Sequence, residues 1–355
     1  MLRKFLSINQ IFRILLGILF LFSGLIKLND PIGFSLTIQA YLRGFAFDLS
    51  TLFLQLIPYS LLIGISVCVL EVMLGMALLL KFHIKRVIQA LFLLTVFFTF
   101  LALYTLWFRR VDSCGCLSDA IPLTPRQSFT KNIFLLAILH FLNKNTRYVA
   151  NKFSSRISLV SLLFVGICST TLGWHIANTL PLIDFSHYKI GSNVTAFTLP
   201  DHLSDSEYLL EKEQKIHSAP SHPDGSQTFS KTQLLDLTDK HRLSNFIIWD
   251  DHKEITQELL KGTKLIGIVQ QPHSLTQKDE VILAQFMHKL AGPIEILWLL
   301  PLDEEKESLP PFIINHIAWG SVDLLQSMIR ADMGFILLQN GIVHGKWSYN
   351  NLSKI

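Results

Sequence analysis

Cys114 and Cys116 are separated by a single glycine, in a polar stretch between two long apolar runs. The only other cysteines, Cys68 and Cys168, lie inside apolar runs, so the thiols expected to meet water are gathered in this tripeptide. Gly115 carries no Cβ and leaves room for the small ring that a Cys114–Cys116 disulfide would close. A strained disulfide is easily reduced, which suits exchange chemistry better than stapling. In exchange, a thiolate attacks a partner's disulfide, and Arg109 and Arg110 would favour the thiolate if the fold brings them close. Two other uses stay open: a structural or idle pair, and a metal site. The latter needs more ligands than two thiols, and the same loop holds no histidine.

Glu71 is the second residue whose type and place suggest chemistry, because it stands in the middle of an apolar run. A carboxylate inside a membrane costs about 3 kcal/mol on insertion scales, so its presence points to function. It is a candidate proton carrier, or a partner for Lys27, Arg13 or His140; a neutral, hydrogen-bonded packing role is the plainer alternative. Lys27 is expected to snorkel to the interface, where Asp30-Pro31 starts a turn. Arg13 is expected to anchor the opposite side in the same way. His140 and His175, on apolar helices, read as hydrogen-bonded core residues. Cys68 and Cys168 read as small apolar fillers, and Gly17, Gly24, Gly64 and Gly75 as points of close helix packing.

The elements that hold these residues follow from composition. Half of the 355 residues are hydrophobic, only 16% are charged, and the mean hydropathy is +0.40. That is a membrane protein's composition, and lipid is the expected surrounding of its 26 phenylalanines. The small net charge of +4 sits in short loops and gives no patch for nucleic acid. Apolar runs at Ile11–Leu28, Leu52–Leu80, Val87–Phe108, Phe129–Leu142 and Ile157–Leu180 predict five spans. The fourth is short for a bilayer of ~30 Å, which leaves four spans plus a re-entrant segment as the alternative. Lys81, Lys85 and Arg86 follow the second span, and Lys144, Arg147, Lys152 and Arg156 follow the fourth. By the positive-inside rule both loops face the cytoplasm. The Cys114 loop and the C-terminal region then face outward, into the periplasm of a bacterial inner-membrane protein, where thiols can be oxidised.

The composition divides the chain into a helical bundle over 1–180 and a polar domain over 181–355. In the second part, Phe246–Trp249, Lys264–Val269 and Ile294–Leu300 predict buried strands. Helices are expected around Ile255–Leu260, Thr276–Leu290 and Val322–Ile329. Phe335–Leu338 and Ile342–Trp347 flank Asn340-Gly341, a strong hairpin signal. Alternation of strand and helix with a terminal hairpin predicts a compact α/β domain, entered through an irregular Thr195–Ser230. Its ten histidines show no metal-binding spacing.

Two resemblances extend this reading. Met333-Gly334-Phe335-Ile336-Leu337-Leu338-Gln339-Asn340-Gly341 resembles the back half of a thioredoxin-like domain, with Met333 where that family has its cis-proline. Phe246–Trp249 runs into Asp250-Asp251-His252 instead of a Cys-x-x-Cys, and no cysteine follows Cys168, so such a domain is expected to bind or position a partner. Arg13-Ile14-Leu15-Leu16-Gly17 and Phe22-Ser23-Gly24-Leu25-Ile26-Lys27-Leu28-Asn29-Asp30-Pro31 belong to the second likeness. With Asp112-Ser113-Cys114-Gly115-Cys116-Leu117-Ser118-Asp119 and Ser128-Phe129-x-Lys131-Asn132, they resemble the DoxX/MauE family of membrane proteins. Leu117-Ser118 departs from the Phe-Gly more usual there. The resemblance implies a bundle of four to five transmembrane helices with an extracytoplasmic thioredoxin-like tail, acting in electron or thiol–disulfide traffic. The MauE branch is associated with methylamine utilisation and disulfide formation in a periplasmic dehydrogenase subunit, the DoxX branch with quinone-linked oxidoreductases. The expectation is therefore a component that matures periplasmic proteins, with Cys114 and Cys116 as the redox pair, a quinone as acceptor and Glu71 handling protons. The rivals are a membrane-anchored scaffold that binds a periplasmic partner through its tail and, more weakly, a transporter, for which Glu71 alone speaks.

Overall fold

The computed structural model describes residues 2–108, 111, 123–145, 155–197, 246–251, 253–270, 286, 295–302 and 316–354. Cys114 and Cys116 lie outside the described residues, as do Arg109, Arg110, Arg147, Lys152 and the expected helix Thr276–Leu290 except Phe286. The chain forms two units, Met1–Phe185 and Ser186–Ile355.

Among the described residues, six α-helices build the first unit: α1 Leu2–Asn29, α2 Pro31–Asp48, α3 Ser60–Leu79, α4 Ile84–Phe108, α5 Pro125–Lys144 and α6 Ser155–Ala177. A 3₁₀ segment, Thr51–Tyr59, precedes α3. Among the described residues four stretches are long and apolar enough to cross a membrane: Ile8–Asn29, Thr51–Leu79, Ile84–Phe108 and Arg156–Ala177. The unit is a membrane helical bundle. The fourth expected span falls within α5, which has 20 residues but is not among those four; Arg126, Gln127, Lys131 and Asn132 dilute its first turns. α2 is a helix that hydropathy missed, because Ser35, Thr37, Gln39 and Arg43 interrupt its apolar residues. Its start is local chemistry. Asp30 accepts a hydrogen bond from Gly33 N at 2.8 Å, and Pro31, which has no N–H to lose, occupies the first turn.

α1 and α3 touch backbone to backbone. A Cβ on Gly24 would stand 2.9 Å from Cys68 O, and one on Gly75 2.6 Å from Leu21 N. α5 runs antiparallel to α4. Phe129 packs on Ala102, while Leu135, Leu139 and Leu142 join Ile84, Val87, Ile88 and Leu91 in one cluster. That cluster also takes Leu16, Phe20, Ala77, Leu78 and Leu162, so one half of the bundle has a mainly apolar interior, with Asn9 and Arg13 buried near it. The opposite half lies towards the C-termini of α1, α4 and α6. From that end the chain leaves α4 at Phe108, re-enters at Thr124 and passes from α6 to Ile183, whose backbone exchanges two hydrogen bonds with the Asn29 side chain. Val111 is buried there with Tyr41 and Phe45 of α2 and Phe98, Leu101 and Tyr104 of α4.

The second unit holds a five-stranded mixed sheet: β1 Thr263–Val269, β2 Glu295–Pro301, β3 Ile317–Gly320, β4 Met333–Gln339 and β5 Ile342–Ser348, in the order β3-β2-β1-β4-β5. β1, β2 and β3 are parallel, and β4 runs antiparallel to both β1 and β5. The short helices α7 Thr256–Leu259 and α8 Val322–Met328 accompany it. The Asn340-Gly341 turn has φ of 49° and 76°, as a two-residue hairpin requires. Phe246–Trp249 is not a regular strand: Trp249 forms only isolated bridges, to Glu254 and Trp319. The edge place that an opening strand would take beside β2 belongs to β3, whose four residues are too few to show a sequence pattern. The place following the central strand is therefore at Gln270 rather than at Asp250. Residues 191–194 hydrogen-bond to Gly341 and Val343 and so cover part of the β5 edge.

Gly75→Val drives a branched side chain into the α1 backbone. The expected loss is about 1–3 kcal/mol, read as a lower thermal midpoint of the detergent-solubilised chain. Gly64→Ala, whose new Cβ would meet only side-chain carbons at 3.4 Å, serves as the near-neutral control.

Candidate functional site

In the polar half of the bundle, Lys27 Nζ donates to Glu71 Oε1 at 2.6 Å, and both side chains are 1% exposed. Ser23, one turn before Lys27 on α1, donates through Oγ to Glu71 Oε2 at 3.1 Å. The spacing of Ser23 and Lys27 puts both on one helix face, and Glu71 on α3 meets them across the Gly24 contact. The ammonium also lies 4.6 Å from the centre of the Phe98 ring and 5.4 Å from that of Phe34. Four helices thus converge on one cation: α1 carries it, α3 its counter-ion, and α2 and α4 the aromatic faces. Cys68, a turn before Glu71, is fully buried beside them with Leu28, Phe34, Ile65 and Val72.

Of the three partners expected for Glu71, only Lys27 is found. His140 is exposed on α5. Arg13 is buried in the other half, donating to the carbonyls of Leu78 at 2.5 Å and Leu79 at 2.9 Å, where it caps the C-terminus of α3. Neither Arg13 nor Lys27 snorkels, since each has a buried acceptor nearer than the interface. Cys168 and His175 are exposed on α6, not core residues. Ser23, Phe34 and Phe98 were missed as participants. A serine and a lysine four residues apart at the end of an apolar helix was the available signal for the first.

More polar side chains lie buried at this end. The Tyr41 hydroxyl and Thr105 Oγ1 are hydrogen-bonded at 2.8 Å, and the Tyr104 hydroxyl donates to Asp48 Oδ2 at 2.6 Å. On α5, Ser128 and Asn132 are 0% and 3% exposed, and Ser128 Oγ and Asn132 Nδ2 have no hydrogen-bond partner.

In the second unit, Gln270 closes the end of the central strand. Its backbone N–H donates to Asp332 O at 2.9 Å, and its side-chain amide to Ala331 O at 2.9 Å and Ile329 O at 3.2 Å. Burial pushes the Tyr188 phenol up to about 12, against the opposing effect of a hydrogen bond with Ser327, so it stays neutral near pH 7. Lys346 is buried, with Nζ 3.2 Å from Ser186 Oγ. Among the described residues no three His, Cys, Asp or Glu side chains come together to hold a metal.

Removing one partner of a buried ion pair leaves an uncompensated charge and costs about 3–5 kcal/mol, whereas replacing both with apolar groups is often neutral. Glu71→Ala should therefore lower the thermal midpoint sharply. Lys27→Met combined with Glu71→Leu should restore most of the loss, and thermal unfolding of the natural chain, Lys27→Met, Glu71→Leu and the double variant closes the cycle.

Residues 6–143, from α1 to the end of α5, match the family model of methylamine utilisation protein MauE. The membrane part up to α5 is MauE-like; α6 and the sheet unit lie outside the match. No curated protein and no solved structure matches the chain.

Proposed function

We propose that this MauE-like membrane protein is a thiol–disulfide or electron-transfer component that serves the maturation of periplasmic proteins. The observation that carries the reading is the position of Cys114-Gly115-Cys116 within the MauE-matching region. The chain departs for and returns from that tripeptide at the end of the bundle that holds the Lys27–Glu71 pair. The elementary step is oxidation of the two thiols to a disulfide, which gives up two electrons and two protons. The acceptor, a diffusible quinone of the membrane, takes up both and becomes a quinol. The disulfide then passes to a substrate dithiol by two exchange steps, and Cys114 and Cys116 return to thiols. Glu71, paired with Lys27 and Ser23, is the proton-handling group.

On this reading the bundle lies in a bacterial inner membrane, with the tail in the periplasm. The tail is a thioredoxin-like domain without its dithiol. The order of its strands and the terminal hairpin support that likeness. The absence of cysteine after Cys168 and the occupation of the central strand's end by Gln270 favour binding of a partner over exchange chemistry. That same observation favours a second reading, in which the whole chain is an anchored scaffold and Cys114 and Cys116 are structural.

Labelling of intact cells with a membrane-impermeant alkylating reagent, before and after mild reduction, tests the first reading. Cys114 and Cys116 should become labelled from outside only after reduction, and the Cys114→Ser, Cys116→Ser double variant should lose disulfide formation in its substrates. Labelling from the cytoplasmic side, or full function in the double variant, overturns it. A tail partner captured by crosslinking in a fully functional double variant establishes the scaffold.

A further inference from the structure

Ser128 Oγ and Asn132 Nδ2 are the clearest unexplained feature of the bundle. They stand one turn apart on the buried face of α5 that continues as Leu135, Leu139 and Leu142. A buried amide or hydroxyl without a partner costs about 1–3 kcal/mol in a protein interior, and hydrocarbon surroundings offer no water to relieve it. Two such atoms side by side therefore call for small polar molecules between the helices. Ordered water meets that need wherever polar walls give it two or more partners.

Where that water leads follows from the antiparallel packing of α4 and α5. With Phe129 on Ala102, Asn132 lies one turn further along α5 and so at the level of Phe98 on α4. The Phe98 ring is the one beneath Lys27 Nζ, 4.6 Å away. Thr95, 1% exposed, precedes Phe98 by a turn; its hydroxyl donates to Leu91 O and keeps its lone pairs as acceptors. Ser128, Asn132 and Thr95 thus mark a line of hydrogen-bonding groups from the N-terminal turns of α5 towards the Lys27–Glu71 pair. Beyond that level the same helix faces turn wholly apolar, in the cluster of Leu91, Leu135, Leu139, Leu16 and Leu78.

We propose that Ser128 and Asn132 line a hydrated, one-sided proton path joining the buried Lys27–Glu71 pair to the aqueous face from which residues 109–124 depart. The apolar cluster closes the other side. Water in the path relays the proton, each O–H bond broken being matched by one formed on the next oxygen, and the pair is the inner terminus. The proposal rests on the reading of Glu71 as a proton-handling group, and its test is independent of Cys114 and Cys116.

The experiment uses the full-length chain with its four native cysteines replaced, reconstituted in vesicles. Single cysteines are introduced as Ser128→Cys, Asn132→Cys, Thr95→Cys and Leu139→Cys, each exposed to a small hydrophilic thiol reagent from one side at a time. A thiol reacts as its thiolate, which needs water, so the rate reads hydration. Asn178→Cys, at the exposed end of α6, marks the face in question. Cysteines at 128, 132 and 95 should react about tenfold faster from the Asn178 face than from the other, and about tenfold faster than the cysteine at 139. Rates at 128, 132 and 95 no higher than at 139, or equal from both faces, overturn the path. Thr95→Cys reads the same line from α4 and decides the matter if a cysteine on α5 prevents insertion. Success here with a functional Cys114→Ser, Cys116→Ser chain would leave the path standing and remove the redox reading; the reverse result would do the opposite.

Discussion

The membrane unit depends on one constraint: a lysine and a glutamate, each 1% exposed, must satisfy one another away from water. Each alone would cost several kilocalories per mole in such surroundings. The pair is tolerable only with short contact, a hydroxyl on the second carboxylate oxygen and aromatic faces around the ammonium. The remaining geometry serves those conditions. Gly24 and Gly75 bring α1 and α3 close enough for a 2.6 Å contact. The Asp30-Pro31 break turns the chain so that Phe34 on α2 returns to Lys27. α4 brings Phe98 from the other side, where a ring adds about 0.5–2 kcal/mol of attraction for a desolvated cation.

The interior is correspondingly uneven. Near the start of α1 and the end of α5 it is packed mainly with leucine and isoleucine, though Asn9, Arg13 and Ser158 are buried there too, and the Arg13 guanidinium is spent on the carbonyls that end α3. Towards the opposite end serine, threonine, tyrosine and asparagine enter the same helix faces. A purely structural bundle gains nothing from orphaned polar atoms on α5, since apolar residues of similar size would pack there without the desolvation cost. Ser128 and Asn132, a turn apart near the start of α5, are what a functional account has to explain.

Much of this was legible in the chain, and the misses have physical causes. Glu71 stood out because an isolated carboxylate in an apolar run has no cheap explanation, and Lys27 was among its named candidates. Its selection over Arg13 and His140 required knowing which helix faces meet, and that is a tertiary fact. Lys27 and Arg13 read as snorkelling residues because hydropathy sees distance to the interface but not a buried acceptor. α2 escaped notice because a helix packed partly against polar neighbours need not be uniformly apolar. In the tail, β1, β2 and the hairpin were visible from apolar runs and Asn-Gly. The four-residue β3 was not, and Phe246–Trp249 imitated a strand because Phe246 and Ile248 are fully buried without pairing regularly.

The sheet's first strand in chain order is Thr263–Val269, not Phe246–Trp249. The position after the first strand no longer falls on Asp250-Asp251-His252 but on Gln270 and the residues that follow it. No cysteine follows Cys168, so neither place carries a thiol whichever strand opens the sheet. The new register adds something that the old one lacked. The carbonyls of Ile329, Ala331 and Asp332, just before β4, are already taken up by Gln270. Gln270 thereby ties the end of β1 to the segment that enters β4.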